Sequence, residues 1–407
     1  MKTKQISKKN QDLLLSAPEF LKNPYPFYEE MRSANPILKM SAYKYSGWYV
    51  TGYDEAVTIL KNNKFQNRTP LPPTTRKYEE LKTIQDNMLV FKNQQDHKRL
   101  RMLMSKGFTP NVIDGIRPYM EKIALELLTQ AKVAKQMDVV SDFAFSLASH
   151  VIAKLLGVPK EDRNLFREWT IELIPTIDFT RSRMVLANGN DVIKDFMMYF
   201  KGLINNRRQQ PQQDFISQLI KDEQEGDRLS EDELLAACIL LVIAGHETTV
   251  NLISNTILTL KNNPEQLVLL RENPDLIEPA IDEVLRYESP TQLTARVAAE
   301  RVEVAGVTIE QGEQVYIMLG AANRDPKQFK NPAQFDITRS PNPHLAFGSG
   351  SHFCLGASLA RLEAQVALQT FLESVECFEV DSEGVQWRKL VGFRALETLP
   401  IILECEK

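Results

Sequence analysis

The sequence predicts a mainly α-helical protein with a smaller β region. Residues 111–200 carry apolar side chains at helical spacing with only short breaks. Residues 230–260 continue this spacing for long enough to form a helix of about 45 Å, at 1.5 Å per residue. Alternating patterns bounded by glycine turns occur at residues 47–53 and in a stretch that begins near Thr294. Helices therefore dominate, and strands form a minor part.

Composition favours an ordinary soluble globular protein. The 407 residues are 43% hydrophobic and 25% charged, and the net charge of -4 argues against general nucleic-acid binding. The longest uninterrupted apolar stretch, residues 236–245, is well short of the roughly 20 residues that cross a bilayer. We expect a cytoplasmic monomer with no membrane anchor, built as a single domain over residues 1–407 with a flexible segment at residues 1–19.

The first part of the chain combines helix, strand and an irregular stretch. Residues 26–34 have helical spacing, residues 47–53 alternate as in a strand, and Asp54 is a suitable N-cap for a helix that ends near Lys61. The proline-rich residues 68–75 then interrupt regular structure. A loop of this length is either a solvated connection or a loop that faces a substrate.

Two basic side chains share one face of the next predicted helix. Asp96 is expected to cap a helix that runs through Lys106 and is closed by Gly107. His97 and Arg101 then lie four residues apart on one face. Two cationic donors in this arrangement could bind a pair of carboxylates, and a solvated basic face is the alternative.

The longest predicted helix contains an unfavourable sequence at its centre. The helix begins with a capping box formed by Ser230 and Glu233. Residues 244–249, AGHETT, nevertheless place a glycine and two β-branched hydroxyl residues in the helix interior. The adjacent acid and hydroxyl of Glu247 and Thr248 could relay protons through water. A helix irregularity with polar surface groups is the alternative.

A charge pair precedes the main β region. Glu283 and Arg286 lie three residues apart on a helix that ends before Ser289 and Pro290. Such a pair contributes little to stability when it is exposed at the surface. Its spacing alone is therefore a weak indication of function.

A glycine-rich loop before the last long helix carries a cysteine. Residues 347–356, FGSGSHFCLG, set three glycines around Cys354, and helical spacing begins directly after them. Backbone N–H groups and the positive end of the helix dipole favour a thiolate here and lower its pKa. An ordinary buried cysteine in a turn is the alternative. The remaining cysteines show no metal-binding spacing and are expected to be free thiols: Cys238, Cys377 and Cys405.

The cysteine loop resembles the haem-ligand loop of the cytochrome P-450 superfamily. The spacing F-x-x-G-x-x-x-C-x-G begins at Phe347, includes His352 and ends at Gly356. The resemblance implies the cytochrome P-450 fold, with haem between the long central helix and the cysteine loop. It also implies haem b with the Cys354 thiolate as axial ligand, since the sequence has no motif for covalent haem attachment.

The same resemblance assigns roles to the other motifs. Glu247 and Thr248 would be the acid-alcohol pair that delivers protons to dioxygen, while His246 beside them is interpreted as structural. The residues expected to bind haem are Phe347, Gly348, Gly356, Ala244 and Gly245, with His97, Arg101, Arg296 and His352 as partners of the propionates. A buried network that supports the cysteine loop would consist of Glu283, Arg286 and Arg339.

The implied activity is that of a haem-thiolate monooxygenase. Electrons would come from an external ferredoxin or flavodoxin with its reductase, since the chain has no flavin or iron–sulfur segment. Longer strings such as AGHETTVNLISN and LGAANRDP resemble the branch that hydroxylates and cleaves a long fatty acyl chain, free or on acyl carrier protein, towards a pimeloyl product in biotin synthesis. The alternatives are a monooxygenase for another fatty acid, a terpenoid or a macrolide, a peroxide-driven haem enzyme, and a haem sensor without catalysis.

Overall fold

Helices dominate the structure and strands are short, so the predicted fold class is confirmed. The computed structural model describes residues 18–40, 46–67, 76–178, 181–224 and 229–403. The α-helices are α1 Pro18–Lys22, α2 Tyr25–Ala34, α3 Tyr53–Lys61, α4 Glu79–Asn87, α5 Gln94–Ser105, α6 Pro110–Ala134, α7 Phe145–Leu156, α8 Arg163–Ile177, α9 Arg183–Gln209, α10 Phe215–Gln224, α11 Glu231–Asn262, α12 Pro264–Glu272, α13 Ile277–Tyr287, α14 Leu319–Ala322 and α15 Ala357–Ser374. The strands are β1 Ile37–Met40, β2 Gly47–Val50, β3 Phe65–Asn67, β4 Gln136–Asp138, β5 Thr294–Ala298, β6 Val302–Val304, β7 Val307–Ile309, β8 Gln314–Ile317, β9 Glu379–Val380, β10 Gln386–Trp387, β11 Leu396–Thr398 and β12 Pro400–Ile402.

The predicted capping box opens the longest helix. The Ser230 N–H donates to the Glu233 carboxylate at 2.9 Å, and the Glu233 N–H donates to Ser230 Oγ at 3.1 Å. Two other predicted caps are wrong. Asp54 and Asp96 lie in the first turns of α3 and α5, which begin two and three residues earlier than a cap at these positions requires. A carboxylate in the first turn still interacts favourably with the helix dipole, which is why the two positions look alike in sequence.

One compact unit contains the main sheet. The unit comprises the described residues within Met1–Arg68, Asn255–Cys354 and Gln386–Glu397. Its five strands have the order β1-β2-β8-β5-β3, in which only β2 and β8 are parallel neighbours. All four residues of β2 are buried, so the predicted alternation is absent there. The reason is that β2 is an inner strand, and the apolar core that includes Val50, Ile59 and Ile317 covers it.

The second compact unit is mainly helical. It comprises the described residues within Thr69–Ser254, Leu355–Val385 and Thr398–Lys407. Helix α6 packs along α15, and the Phe371 ring of α15 lies 6.4 Å from Phe143 and 5.2 Å from Phe378. A small antiparallel sheet of order β4-β12-β9 belongs to the same unit. The proline-rich residues 68–75 and residues 1–17 lie outside the described residues.

Among the residues that the structure describes, two helical stretches are long and apolar enough to cross a membrane by length and composition. They are Val139–Leu156, which consists of a π-helical turn and α7, and Glu231–Asn262, which is α11. In their most apolar windows, 67% and 78% of the residues are buried inside the protein. Core helices of soluble proteins satisfy the same criteria, so these stretches are weak evidence for a membrane span.

Candidate active site

The cysteine loop is closed by one backbone hydrogen bond and leaves its cysteine exposed. The Cys354 N–H donates to the Phe347 carbonyl at 2.9 Å, and the thiol is free of disulfide bonding. Gly350 has a left-handed backbone with a φ of 75°, and a Cβ there would lie 2.6 Å from the Leu60 carbonyl oxygen. Because that neighbour is backbone, only glycine fits this turn. The loop therefore presents an accessible sulfur three residues before α15 begins.

The other cysteines differ in their environments. Cys238 is buried in α11, and burial raises the pKa of its thiol. Cys377 is disulfide-bonded, so the expectation of a free thiol at that position is wrong. Spacing along the chain carries no information about which cysteines meet in the folded protein, which is why the sequence did not reveal this bond. Cys405 lies outside the described residues.

A buried carboxylate binds two arginines. The Glu283 carboxylate accepts from Arg286 Nε and Nη2 at 2.8 and 2.7 Å and from Arg339 Nε at 3.1 Å. The side chains of Glu283 and Arg286 are both 0% exposed. The remaining Arg286 N–H groups donate to the carbonyls of Asn323, Pro332 and Gln334. All five N–H groups of this guanidinium therefore have acceptors, one of which is charged.

Asn323 connects this network to the cysteine loop, and the sequence did not single it out. Its carbonyl accepts from Arg286, and its side-chain Oδ1 accepts from the Leu345 N–H at 2.6 Å. The Gly348 N–H in turn donates to the Leu345 carbonyl at 2.8 Å. A continuous series of hydrogen bonds thus runs from the buried arginine to the glycine next to Phe347.

His344 also orients the loop and was not predicted. Its Nδ1 accepts from the Ala346 N–H at 3.3 Å, so in the neutral ring Nε2 carries the proton and faces Asp282 Oδ1 at 3.3 Å. The imidazole ring lies 6.0 Å from the Phe347 ring. A histidine in a loop gives no sequence signal that separates this role from a solvated one.

Arg296 is a buried cation with neutral partners. It is 4% exposed, and its Nη1 donates to Asn67 Oδ1 at 2.7 Å, to Thr294 Oγ1 at 3.2 Å and to the Ala295 carbonyl at 2.9 Å. Within the described part of the chain, none of its acceptors is a carboxylate. Burial lowers the pKa of Arg296 to about 10, since desolvation disfavours the charged form. A buried charge of this kind favours an anionic ligand.

Asn67 joins Arg296 to His352, two of the residues predicted to bind propionates. Its Nδ2 lies 3.3 Å from His352 Nδ1, while its Oδ1 accepts from Arg296. The other two predicted partners lie on α5, where His97 is buried and Arg101 is partly buried. Between them in sequence, Arg99 binds the Glu233 carboxylate, so this basic run is more than a solvated face.

The centre of α11 has an exposed residue among buried and partly buried ones. Ala244 is exposed and Thr248, one turn later, is partly buried, whereas Glu247 is 6% exposed. Thr248 Oγ1 donates to the Ala244 carbonyl at 2.7 Å. A Cβ on Gly245 would lie 2.3 Å from Ile152 Cδ1, so the missing side chain lets α7 pack closely against α11. Helix packing is therefore a structural reason for this glycine.

His246 is held in a neutral form. Its Nδ1 donates to the Val242 carbonyl at 2.8 Å, its Nε2 accepts from Ser149 Oγ at 3.1 Å, and its ring stacks on Phe145. Burial lowers the pKa of His246 to about 4. Both ring nitrogens are occupied, which supports the interpretation of this histidine as structural.

The residues near the cysteine loop fit haem b. An accessible thiol suits haem iron, for which a cysteine thiolate is one of the established protein ligands. The buried Arg296 guanidinium, with only neutral acceptors, suits a propionate carboxylate. A Cβ on Gly348 would meet no atom closer than 3.8 Å, so this face of the loop has space for a planar group.

Comparison with known proteins identifies the family. The cytochrome P-450 family model matches residues 12–392. The chain is 56% identical over 389 residues to the biotin biosynthesis cytochrome P-450 of Bacillus subtilis strain 168, covering 96% of this chain and 98% of that protein. It is 38% identical to the polyketide biosynthesis cytochrome P-450 PksS of the same organism, over 95% and 97% of the two chains. The chain belongs to the cytochrome P-450 family.

Solved structures agree with this assignment. The crystal structure of P-450 BioI in complex with acyl carrier protein ligated to hexadec-9Z-enoic acid has a TM-score of 0.92 and 56% identity, covering 95% of this chain and 100% of that one. A myxobacterial cytochrome P-450 in complex with myristic acid has a TM-score of 0.89 and 35% identity, covering 96% and 99%. The protein is thus a haem-thiolate monooxygenase that binds haem b, as the cysteine loop predicted, and it receives electrons from a redox partner.

Proposed function

We propose that this protein hydroxylates a long fatty acyl chain and cleaves it towards a pimeloyl product in biotin synthesis. The main support for this proposal is the 56% identity, over nearly all of both chains, with a relative named for biotin biosynthesis. The related structure that holds acyl carrier protein with a hexadecenoic acid supports an acyl substrate delivered on that carrier. The enzyme acts in the cytoplasm as a monomer, with one catalytic domain and a ferredoxin or flavodoxin as electron donor.

The haem contacts of this chain follow from the chemistry of its donors. Cys354 would provide the thiolate ligand, and Arg296 and His352 would bind propionate together with His97 and Arg101. Phe347, Gly348 and Gly356 would contact haem from the cysteine loop, and Ala244 and Gly245 would contact it from α11. When bound, haem supplies the reductive activation of dioxygen, which a thiolate ligand promotes by donating electron density.

Glu247 and Thr248 handle protons. Thr248 Oγ1 donates its own hydrogen to the Ala244 carbonyl, so its lone pairs remain able to accept a hydrogen bond from water. Glu247, adjacent in sequence and mostly buried, is the acid that resupplies protons. The Glu283 network holds the Leu345–Gly348 backbone in place, which keeps the sulfur at a constant position.

Replacement of Thr248 tests the proton role. Thr248→Ala should reduce product formed per electron pair by about tenfold or more and release peroxide instead, because the proton relay contributes on the scale of general acid catalysis. Coupling is measured as product and peroxide per cofactor oxidised, with a ferredoxin and its reductase. Thr249→Ala, one residue further along α11 and buried, is the matched control. Unchanged coupling in Thr248→Ala would remove the assigned role.

Ligand titration tests the substrate. We expect hexadecenoyl acyl carrier protein to shift the ferric haem spin state at lower concentration than the free fatty acid, followed by formation of a pimeloyl product. The second candidate is a substrate of polyketide biosynthesis, which the 38% identity to PksS favours. If macrolides or terpenoids shift the spin state and acyl compounds do not, the biotin proposal is overturned while the monooxygenase assignment stands.

A further inference from the structure

We propose that Asn67 is a positioning residue that holds Arg296 and His352 for the haem propionates, an inference that rests on the haem contacts proposed above. Asn67 ends β3 and is paired with Arg296 of the neighbouring strand β5. It is only 9% exposed, although asparagine is ordinarily a surface residue. Its carboxamide contacts both of these side chains at once.

The chemistry of its neighbours fixes the orientation of the amide. Arg296 can only donate, so the Asn67 atom at 2.7 Å is Oδ1. The atom that lies 3.3 Å from His352 Nδ1 is therefore the amide nitrogen Nδ2, which can only donate. His352 Nδ1 accepts this bond, and the proton of the neutral ring is on Nε2. Asn67 thus selects the tautomer in which His352 Nε2 is a donor.

A neutral residue at this position preserves the charge of Arg296. A carboxylate in place of the Asn67 amide would neutralise the guanidinium, as Glu283 does for Arg286. The carboxamide instead supplies a hydrogen bond that orients the guanidinium and leaves its charge for an external anion. An asparagine at position 67, in place of an aspartate, therefore leaves the positive charge of Arg296 available to bind a propionate.

Haem release and apoprotein stability together test this inference. Asn67→Leu should accelerate haem transfer to excess apomyoglobin by roughly tenfold, the effect of losing one hydrogen bond to a charged group. Asn67→Asp should also release haem faster, yet its apoprotein should resist urea better than the wild type, because Arg296 gains a counterion. A residue with a purely structural role would not change these two properties in opposite directions.

The controls separate this inference from the function it rests on. Gln66→Leu, one position earlier on β3 and paired with Val297, should release haem at the wild-type rate. Wild-type release from both Asn67 variants, with faster release from Arg296→Leu, overturns the role of Asn67 alone. Wild-type release from Arg296→Leu as well overturns the propionate contact itself. In the Asn67→Leu, Arg296→Leu double variant, effects that simply multiply would also overturn the inference, since coupled residues give less than the product.

Discussion

Two buried arginines of the same unit, Arg286 and Arg296, differ in what neutralises them. Arg286 is 0% exposed and binds the Glu283 carboxylate in a bidentate manner, with carbonyl acceptors for its remaining N–H groups. Arg296 is 4% exposed and has only neutral acceptors in the described part of the chain. The first arginine stabilises the fold, whereas the second carries an uncompensated charge that a ligand can use. Both arginines are buried, so the presence or absence of a carboxylate partner is what distinguishes the structural Arg286 from the ligand-binding Arg296.

The largest expected effect on stability comes from removing the Glu283 carboxylate, which neutralises Arg286. Glu283→Ala should lower the free energy of unfolding by about 3–5 kcal/mol, because it leaves two arginines without their shared carboxylate. Urea denaturation of the haem-loaded protein measures this. Glu310→Ala, which breaks the exposed Arg301–Glu310 pair, should change stability by less than about 1 kcal/mol. Equal effects of the two variants would contradict the comparison.

Removal of Arg296 should stabilise the apoprotein but weaken haem binding by the haem-loaded protein. The folded pKa of about 10 lies below that of an exposed arginine, so folding disfavours the protonated form at neutral pH. Arg296→Leu should therefore stabilise the apoprotein by up to about 3 kcal/mol, at about 1.4 kcal/mol per pKa unit. This advantage should shrink as pH rises above about 10, where folded Arg296 loses its proton.

The haem-loaded form of the same variant provides the contrast. There Arg296→Leu should weaken haem retention, because the propionate loses its cation. Urea denaturation of the apoprotein and of the haem-loaded protein at several pH values measures the effect on stability. The rate of haem release measures the effect on haem retention. An apoprotein that is destabilised by Arg296→Leu would show that the arginine is structural, like Arg286.

His246 is a third buried titratable residue, and it differs from both arginines because it stays neutral. Its folded pKa of about 4 lies below the pKa of about 6.5 of an exposed histidine, so the unfolded chain binds a proton first as pH falls. This contribution to stability is present above pH 6.5 and should decrease by about 2 kcal/mol between about pH 7 and about pH 5. His246→Phe should flatten this part of the pH dependence in urea denaturation, and His150→Phe on α7 is the control. An unchanged slope in His246→Phe would show that the histidine is not the cause.

Most of the features that could be predicted from the sequence are local motifs. The Ser230 capping box, the glycines around Cys354 and the i,i+3 spacing of the Glu283 pair depend on residues that are neighbours along the chain. Asn67, Asn323 and His344 escaped detection for the opposite reason. Asn67 meets Arg296 from 229 positions away, and no periodicity reveals such a pair. A single asparagine or histidine also carries no signal that separates a positioning role from a solvated loop.

The sequence by itself determined the class of this protein, because a cysteine among glycines before a helix and an acid-alcohol pair within a helix are local patterns with specific chemistry. The tertiary structure decided how completely each charge is compensated. The Glu283–Arg286 pair is visible in the sequence, but the fold buries it and adds Arg339, whereas Arg296 receives an asparagine from a distant strand. The energy of a buried charge depends on desolvation and on partners gathered from distant segments, and both are properties of the folded chain.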